Sequence, residues 1–344
     1  ILPSLTFKTQ GSVDAIGTEG FNYLNPVNGD GASVGGAVRN NFTNLTRWNT
    51  QNVLSYNKTF GESHNVSAVA IYEVQKQKVS SFYGGGNGLS DTFFNKGLIT
   101  GSYATQLSGG GITENGIISY AGRLNYNYQG KYFLQGSIRK DGLSSLPTAN
   151  KWGTFPGASV GWTVSKESFM SSLEDVVSDF KLRASYAEVG NDLDPYQLYT
   201  VYTMGKDPNG NPTAAPGSTL YDPSVRSELI KSWEAGVDLK FFNNRLGIDA
   251  AWYKSNATRQ LFNLPMDPFS GYSDRKINAG NIQNSGVELM LYGGILQNPK
   301  GLNWDMTVNA SLNRNKIIDL YEGVNEYGLR TFDDVKIVAR TGSY

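Results

Sequence analysis

Residues 123–142 read RLNYNYQGKYFLQGSIRKDG. Leu124, Tyr126 and Tyr128 alternate with Arg123, Asn125 and Asn127. Beyond Gln129-Gly130-Lys131, Tyr132, Leu134, Gly136 and Ile138 alternate with Phe133, Gln135, Ser137 and Arg139. A period of two marks a strand with unlike faces, and a short Gly-bearing break between two such runs marks a hairpin. This hairpin has one apolar face and one wet face. The fold turns on whether the apolar face points into a protein core or out into lipid.

The same alternation recurs along the chain. It predicts strands at 3–14, 44–59, 65–80, 117–128, 132–141, 153–165, 180–189, 229–241, 246–260, 285–295 and 303–315, with a twelfth at 329–341. Trp233, Ala235, Val237, Leu239 and Phe241 share one face, opposite Glu234, Asp238 and Lys240. Trp304, Met306, Val308, Ala310 and Leu312 do the same, opposite Asp305, Thr307, Asn309 and Ser311. Many runs reach about ten residues, longer than the usual 5–6 of soluble strands. Short connections (60–64, 129–131, 242–245, 296–302) alternate with long ones (15–43, 81–116, 142–152, 190–228, 261–284, 316–328). The connection 166–179, KESFMSSLEDVVSD, reads as one or two helical turns. Tight turns therefore collect at one end of the sheet and long loops at the other. Transmembrane β-barrels have this asymmetry, with the turns periplasmic and the loops extracellular. By that parity 132–141 runs outward and 153–165 returns.

Composition bounds the partners. Thirty Lys+Arg balance thirty Asp+Glu, which argues against a nucleic-acid partner, since such partners usually want a basic stripe. Charged residues are only 17% of the chain, against about 25% in ordinary soluble domains. There is no Cys, hence no disulfide frame or thiolate metal site. No run of about 18 apolar residues occurs, which excludes a transmembrane helix.

Alternation alone is symmetric between a soluble β-sandwich or solenoid and a barrel turned inside out. Three features favour the barrel. The strands suffice to cross an apolar band of roughly 25 Å. The other face is rich in amides and hydroxyls, as a wet lumen requires. Aromatic rings gather near strand ends (Trp48, Tyr56, Phe60; Tyr128, Tyr132; Trp233, Phe241), where girdles would sit. About twelve strands need not close on themselves, and a barrel abolishes its edges only when complete. The chain starts ILPSLTFKTQ with no leader and stops at VARTGSY, so it reads as one partial barrel domain of a longer protein.

Several stretches together resemble one family. RLNYNYQGKYFLQGSIRKDGLSSL, KWGTFPGASVGWTVSKESFM, DFKLRASYAEVGN, LIKSWEAGVDLKFFNNRLGIDAAWYK, NAGNIQNSGVELML and LNWDMTVNASLNRNKI, in this order and spacing, resemble the barrel of SusC/RagA-type TonB-dependent outer-membrane transporters. WNTQNVLSYNKTFGESHNVSAVAIYE resembles an earlier hairpin of that barrel. The resemblance implies an all-β, antiparallel up-and-down barrel of about twenty-two strands, of which this chain is the middle-to-late part. A barrel that wide leaks unless a plug fills it, and the plug and TonB box lie outside this sequence. It further implies a Gram-negative outer membrane and TonB-energised import of a large nutrient, glycan or peptide. A SusD-like lipoprotein would act as lid, with the lipid bilayer around the wall. The alternatives are a non-transporting receptor or adhesin on the same barrel, and a soluble β-sheet binding protein.

Candidate sites follow. No catalytic set is expected: His64, the sole histidine, sits in the turn GESHN, and Glu188, Asp192 and Asp194 read as solvated loop acids rather than an acid–base pair. No cofactor is expected; the alternative is loop Ca²⁺ on oxygens of EVGNDLDPY or KDPNGNP (206–212), neither of which has EF-hand spacing. GGGNGLS (84–90) lacks the Lys-Ser/Thr of a phosphate loop and reads as a flexible loop. The N-x-S/T triplets at Asn41, Asn44, Asn57 and Asn65 read as chance matches. On the lumen face Arg123, Arg139, Arg183, Glu234, Asp238 and Asp249 are candidates for docking the plug. The loop aromatics are Phe93, Phe94, Tyr103, Tyr196, Tyr199, Tyr202, Tyr221, Phe269 and Tyr272. Among them Tyr196, Tyr199 and Tyr202 of PYQLYTVYTM are the foremost candidate surface for substrate or lid.

Overall fold

The computed structural model describes residues 4–89, 103–199, 201–332 and 335–342. In chain order the strands are β1 (Leu5–Leu24), β2 (Ala37–Phe60), β3 (His64–Leu89), β4 (Tyr103–Tyr128), β5 (Tyr132–Leu143), β6 (Trp152–Thr163), β7 (Val177–Asn191) and β8 (Tyr202–Lys206). They continue with β9 (Pro212–Pro216), β10 (Thr219–Tyr221), β11 (Glu228–Phe241), β12 (Leu246–Pro265), β13 (Asp274–Leu296), β14 (Trp304–Asp319), β15 (Glu326–Phe332) and β16 (Val335–Arg340). Among the described residues twelve strands share one sheet, ordered β1-β2-β3-β4-β5-β6-β7-β11-β12-β13 with β14 on β13, and short β10 runs parallel to β13. The stretch read as a single twelfth strand, 329–341, is instead split between β15 and β16, a separate two-stranded hairpin.

The chain divides into two compact units. The larger is Ile1–Lys8, Val53–Tyr72 and Ser119–Tyr344, and the smaller is Thr9–Asn52 and Glu73–Ile118.

In the larger unit, the register answers the question posed by the 123–142 hairpin. Leu134, Val160, Ala184, Ala235, Trp252, Val287 and Leu312 align across seven strands. The adjacent row is Gln135, Ser159, Ser185, Glu234, Tyr253, Gly286 and Asn313. Parity keeps every residue of a row on one face. Among the described residues no second layer covers the apolar row: Leu134 is 51% exposed, Val160 52%, Val287 49% and Leu312 54%. Sheet-wide exposure of that kind is untenable in water and is what a lipid-facing wall presents.

The short connections are as tight as their sequences require. Gln129 and Gly130 both have positive φ (54° and 63°), the geometry of a two-residue hairpin turn whose twist matches the strands. Lys131 N–H closes it on Tyr128 O at 2.9 Å, and the Asn127 side chain accepts from Gly130 N–H. Phe242, Asn243 and Asn244 are left-handed in succession in the β11–β12 turn. The segment after β6 forms two short 3-10 turns, Val164–Lys166 and Ser168–Leu173, where the sequence reads as one or two helical turns.

The strands run beyond their expected ends. β1 and β2 leave only 25–36 of the stretch 15–43 outside strands, and β12 and β13 shorten 261–284 to 266–273. The stretch 190–228 carries the β8–β9 hairpin and β10. Gly, Asn and Ser carry weak strand preference, so pattern alone misses these extensions; ladder hydrogen bonds to a neighbouring strand hold them.

In the smaller unit the run 84–89 is the buried end of β3 rather than a flexible loop. A Cβ on Gly85 would lie 2.2 Å from Val38 O, and one on Gly86 2.4 Å from the Tyr103 ring. These glycines permit close packing. Tyr103 is accordingly buried, 8% exposed, and is not a loop-surface ring.

Candidate functional site

The polar face of the larger unit carries most of the candidate lumen residues, and four of them converge. Arg183 of β7 lies opposite Gly236 of β11, which lies opposite Ala251 of β12. With no side chain on Gly236, the guanidinium crosses β11. Nη1 donates to Asp238 Oδ1 at 2.8 Å and Nη2 to Asp249 Oδ1 at 2.7 Å, while Nε lies 3.7 Å from Glu234 Oε1. A planar fork with several fixed donors suits this bridging role better than an ammonium would. The same device recurs nearby: Tyr253 passes over Gly286 to donate to Asn313 Oδ1 at 2.9 Å.

Arg139 is engaged separately. Its Nε donates to both oxygens of Asp141, at 2.8 and 2.9 Å, and its Nη2 to buried Ser119 Oγ at 2.7 Å. Arg123 borders the same hollow, with Gln135, Ser137, Arg139 and Asp141, yet is exposed and has no ion pair or hydrogen bond among the described residues. Arg183, Asp238 and Arg139 are thus bound within the wall, whereas Arg123 keeps its charge available.

The three carboxylates weighed as an acid–base set have separate partners. Glu188 accepts from Tyr186 Oη at 2.5 Å and faces Lys231 Nζ at 3.7 Å. Asp192 accepts from Ser145 Oγ and from Leu193 N–H, and Asp194 from Gln197 Nε2 at 2.8 Å. His64 bonds through Nδ1 with Tyr126 Oη at 2.7 Å and packs on the Tyr128 ring. In KDPNGNP, one carboxylate oxygen of Asp207 accepts from the backbone of Asn209 and Asn211, and the other from Asn211 Nδ2 at 2.9 Å. These bonds hold the carboxyl below its ordinary range, and the turn they close joins β8 to β9.

At the long-loop end the connections interlock, which the sequence did not announce. Arg275 Nη2 meets Asp222 Oδ2 at 2.5 Å. Asn278 accepts from Arg226 N–H and donates to Arg226 O, and Lys276 reaches Gln197 Oε1 at 3.3 Å. Asn150 Nδ2 donates to Pro223 O. Leu146, Leu193, Leu198, Val225 and Ile277 are buried in the same segments. Tyr196 and Tyr199 meet edge to face at 6.5 Å, both exposed. Tyr202 is also exposed but opens β8, opposite Pro216. Phe269, in the turn between β12 and β13, is 101% exposed, more than any of the three tyrosines. Phe93 and Phe94 lie outside the described residues.

At the short-turn end, aromatic rings form the expected girdle. Tyr128, Tyr132 and Trp162 stack in sequence at 6.3 and 6.4 Å. Glu167 ties the stack to the adjoining turn: Tyr132 Oη and Trp162 Nε1 donate to Oε1 at 2.5 and 3.0 Å, and Lys131 Nζ to Oε2 at 3.3 Å. These donors, the Tyr132 hydroxyl first among them, hold the Glu167 carboxyl below its usual range.

Long antiparallel strands with an open apolar face, ring girdles and a wet opposite face define the wall of a membrane-spanning β-barrel. The model of the family "TonB dependent receptor-like, beta-barrel" matches residues 4–340, and the chain belongs to that family of Gram-negative outer-membrane proteins. The TonB-dependent receptor P3 of Formosa agariphila is 30% identical over 301 residues, covering 85% of this chain and 29% of that protein. The TonB-dependent receptor SusC of Bacteroides thetaiotaomicron is 30% identical over 223 residues, covering 61% of this chain and 22% of that protein. The chain thus spans less than a third of these curated relatives. The structure of the RagAB peptide transporter matches with a TM-score of 0.83 at 24% identity, over 99% of this chain and 37% of that chain. The ferric citrate transporter FecA matches with a TM-score of 0.56 at 13% identity, over 92% and 41%. The structural likenesses establish the fold, and the SusC and RagAB matches bear out the resemblance to the SusC/RagA group.

Proposed function

We propose that this wall belongs to a TonB-energised importer that moves an oligosaccharide or peptide across the outer membrane beneath a SusD-like lipoprotein. The observation that carries the reading is the RagAB superposition over 99% of the chain, since that complex is a peptide transporter. The similarity to SusC, the polar inner face and the interlocked long loops support it. On this reading Arg123 is the lumen cation that holds the plug through contacts that break during transport, while Arg139, Arg183 and Asp238 stiffen the wall. Tyr196, Tyr199, Tyr202 and Phe269 offer flat rings to the lid or the substrate. The protein is a carrier, not an enzyme.

The test deletes the gene for the full-length protein and measures uptake of labelled oligosaccharide and peptide pools with TonB intact and TonB-depleted. The expected result is loss of one pool, equal in both defects, with a surface lipoprotein co-purifying with the intact protein. Unchanged uptake together with loss of surface adhesion or receptor activity on deletion would overturn the proposal in favour of a non-transporting barrel.

A further inference from the structure

The membrane-facing side is not uniform from end to end. Near its long-loop end, Trp152 of β6 lies opposite Gly142 of β5, where a Cβ would come within 2.8 Å of the indole. The missing side chain lets the ring lie flat across the neighbouring strand, a known way of covering a strand glycine. Tyr72 and Tyr120 continue the aromatic row, with ring centroids 5.3 and 6.1 Å apart along it. Two ammonium groups sit over the same indole: Lys140 Nζ is 5.5 Å from its centroid and Lys151 Nζ 5.9 Å. Lys140 belongs on this face by parity with Leu134 and Ile138. Lys151, one residue before Trp152, would point to the other face if it followed strict alternation, and its ammonium nevertheless returns to the Trp152 ring. Among the described residues neither lysine has a carboxylate within ion-pair distance, and the neighbouring Asp141 is held by Arg139 on the opposite face. Lys231 and Lys254 stand on the apolar face of β11 and β12 toward the same end, with Glu188 the acid beside Lys231.

We propose that Lys140, Lys151 and Trp152 form a binding site for the phosphate-bearing headgroup of an outer-leaflet glycolipid. Lys140 rises from the apolar face and Lys151 reaches the same indole from the adjoining connection, and a long apolar stem lets each lysine keep its charge at the membrane boundary. The indole supplies a flat platform for a sugar ring or the base of an acyl chain, and the two ammoniums supply the counter-charge for the phosphate. A cationic pair on a lipid-facing surface is costly when empty and favourable beside an anionic lipid. The site rests on the lipid-facing orientation of this side and not on the identity of the transported nutrient.

Native mass spectrometry of the full-length detergent-purified protein, titrated with monophosphoryl lipid A, tests the site. Dioleoyl phosphatidylcholine serves as the zwitterionic control and inorganic phosphate as competitor. The double substitution Lys140→Gln/Lys151→Gln is expected to weaken lipid A retention by about tenfold or more, from two lysine–phosphate contacts. Lys140→Arg/Lys151→Arg should retain it, and Lys300→Gln, at the short-turn end, should leave it unchanged. Heat-modifiable gel migration confirms that each variant is folded; if the Gln pair fails that check, the single substitutions Lys140→Gln and Lys151→Gln replace it. Equal lipid A retention by the folded Gln variants would overturn the proposal. So would full displacement by inorganic phosphate, which would mark a free-anion site, or equal retention of phosphatidylcholine, which would mark a nonspecific apolar surface.

Discussion

Arg183 and Asp249 sit on strands that do not touch, with β11 between them, yet their guanidinium and carboxylate are 2.7 Å apart. Gly236 makes the bridge possible, because a Cβ there would lie 2.7 Å from the guanidinium carbon. The clamp joins three strands on the wet face of the wall.

Replacing Gly236 with Val should therefore displace Arg183 and act like loss of the arginine itself. Arg183→Ala is expected to cost about 2 kcal/mol, the scale of charged hydrogen bonds left unmade. Urea unfolding of the full-length barrel in detergent checks this. The Gly236→Val and Arg183→Ala effects should be strongly non-additive, because both remove one network; simple addition would dissociate the glycine from the clamp.

The Glu167 knot should make the short-turn rim sensitive to acid. The folded carboxyl lies below its ordinary value, so its stabilisation is complete above about 4.3, the unfolded value. It declines as pH falls further and is gone below the folded value. Thermal melts of wild type and Glu167→Gln should therefore differ at neutral pH and converge on acidification. A difference that persists or grows in acid would exclude an ionised Glu167 as the source.

Asp222 ties β10 to the outer part of β13. Bonds from Ser224 and from Arg275 hold its carboxyl below the ordinary range, so it is charged at neutral pH. Asp222→Ala should loosen 219–226 while leaving the wall intact. Limited proteolysis should cut faster in this segment, with urea unfolding of the barrel shifted by less than about 0.5 kcal/mol, as for surface changes remote from the core.

For the loop rings, joint replacement of Tyr196, Tyr199 and Tyr202 by Ala is expected to reduce uptake or lid-protein binding several-fold without changing barrel stability. Phe269→Ala should add to the loss, since its ring is fully exposed. Unchanged uptake and lid binding in the quadruple variant would exclude these rings from both roles.

Much of the wall was legible because a strand's period of two is read directly from residue order. The hairpin at 123–142, the turns 129–131 and 242–245 and the girdle pair Tyr128 and Tyr132 stand as expected. The outer ends of β3 and β13 were not legible, since Gly- and Asn-rich runs extend as strands only when a neighbour supplies hydrogen bonds. Burial of Tyr103 against Gly86 and the return of Lys151 onto Trp152 likewise depend on partners from distant sequence or on a local departure from alternation.

Residue order by itself determined the alternating strands, the asymmetry between turns and loops, and the two unlike faces. Those are local properties, set by side-chain polarity and a fixed backbone repeat. Tertiary structure alone decided which strands are neighbours and in what register. That choice places Arg183 across Gly236 from Asp249, leaves Arg123 without an acid among the described residues, and gathers two lysines on one indole. Each of these depends on distances between atoms far apart in the chain, which become definite only when the backbone ladders bring the strands side by side.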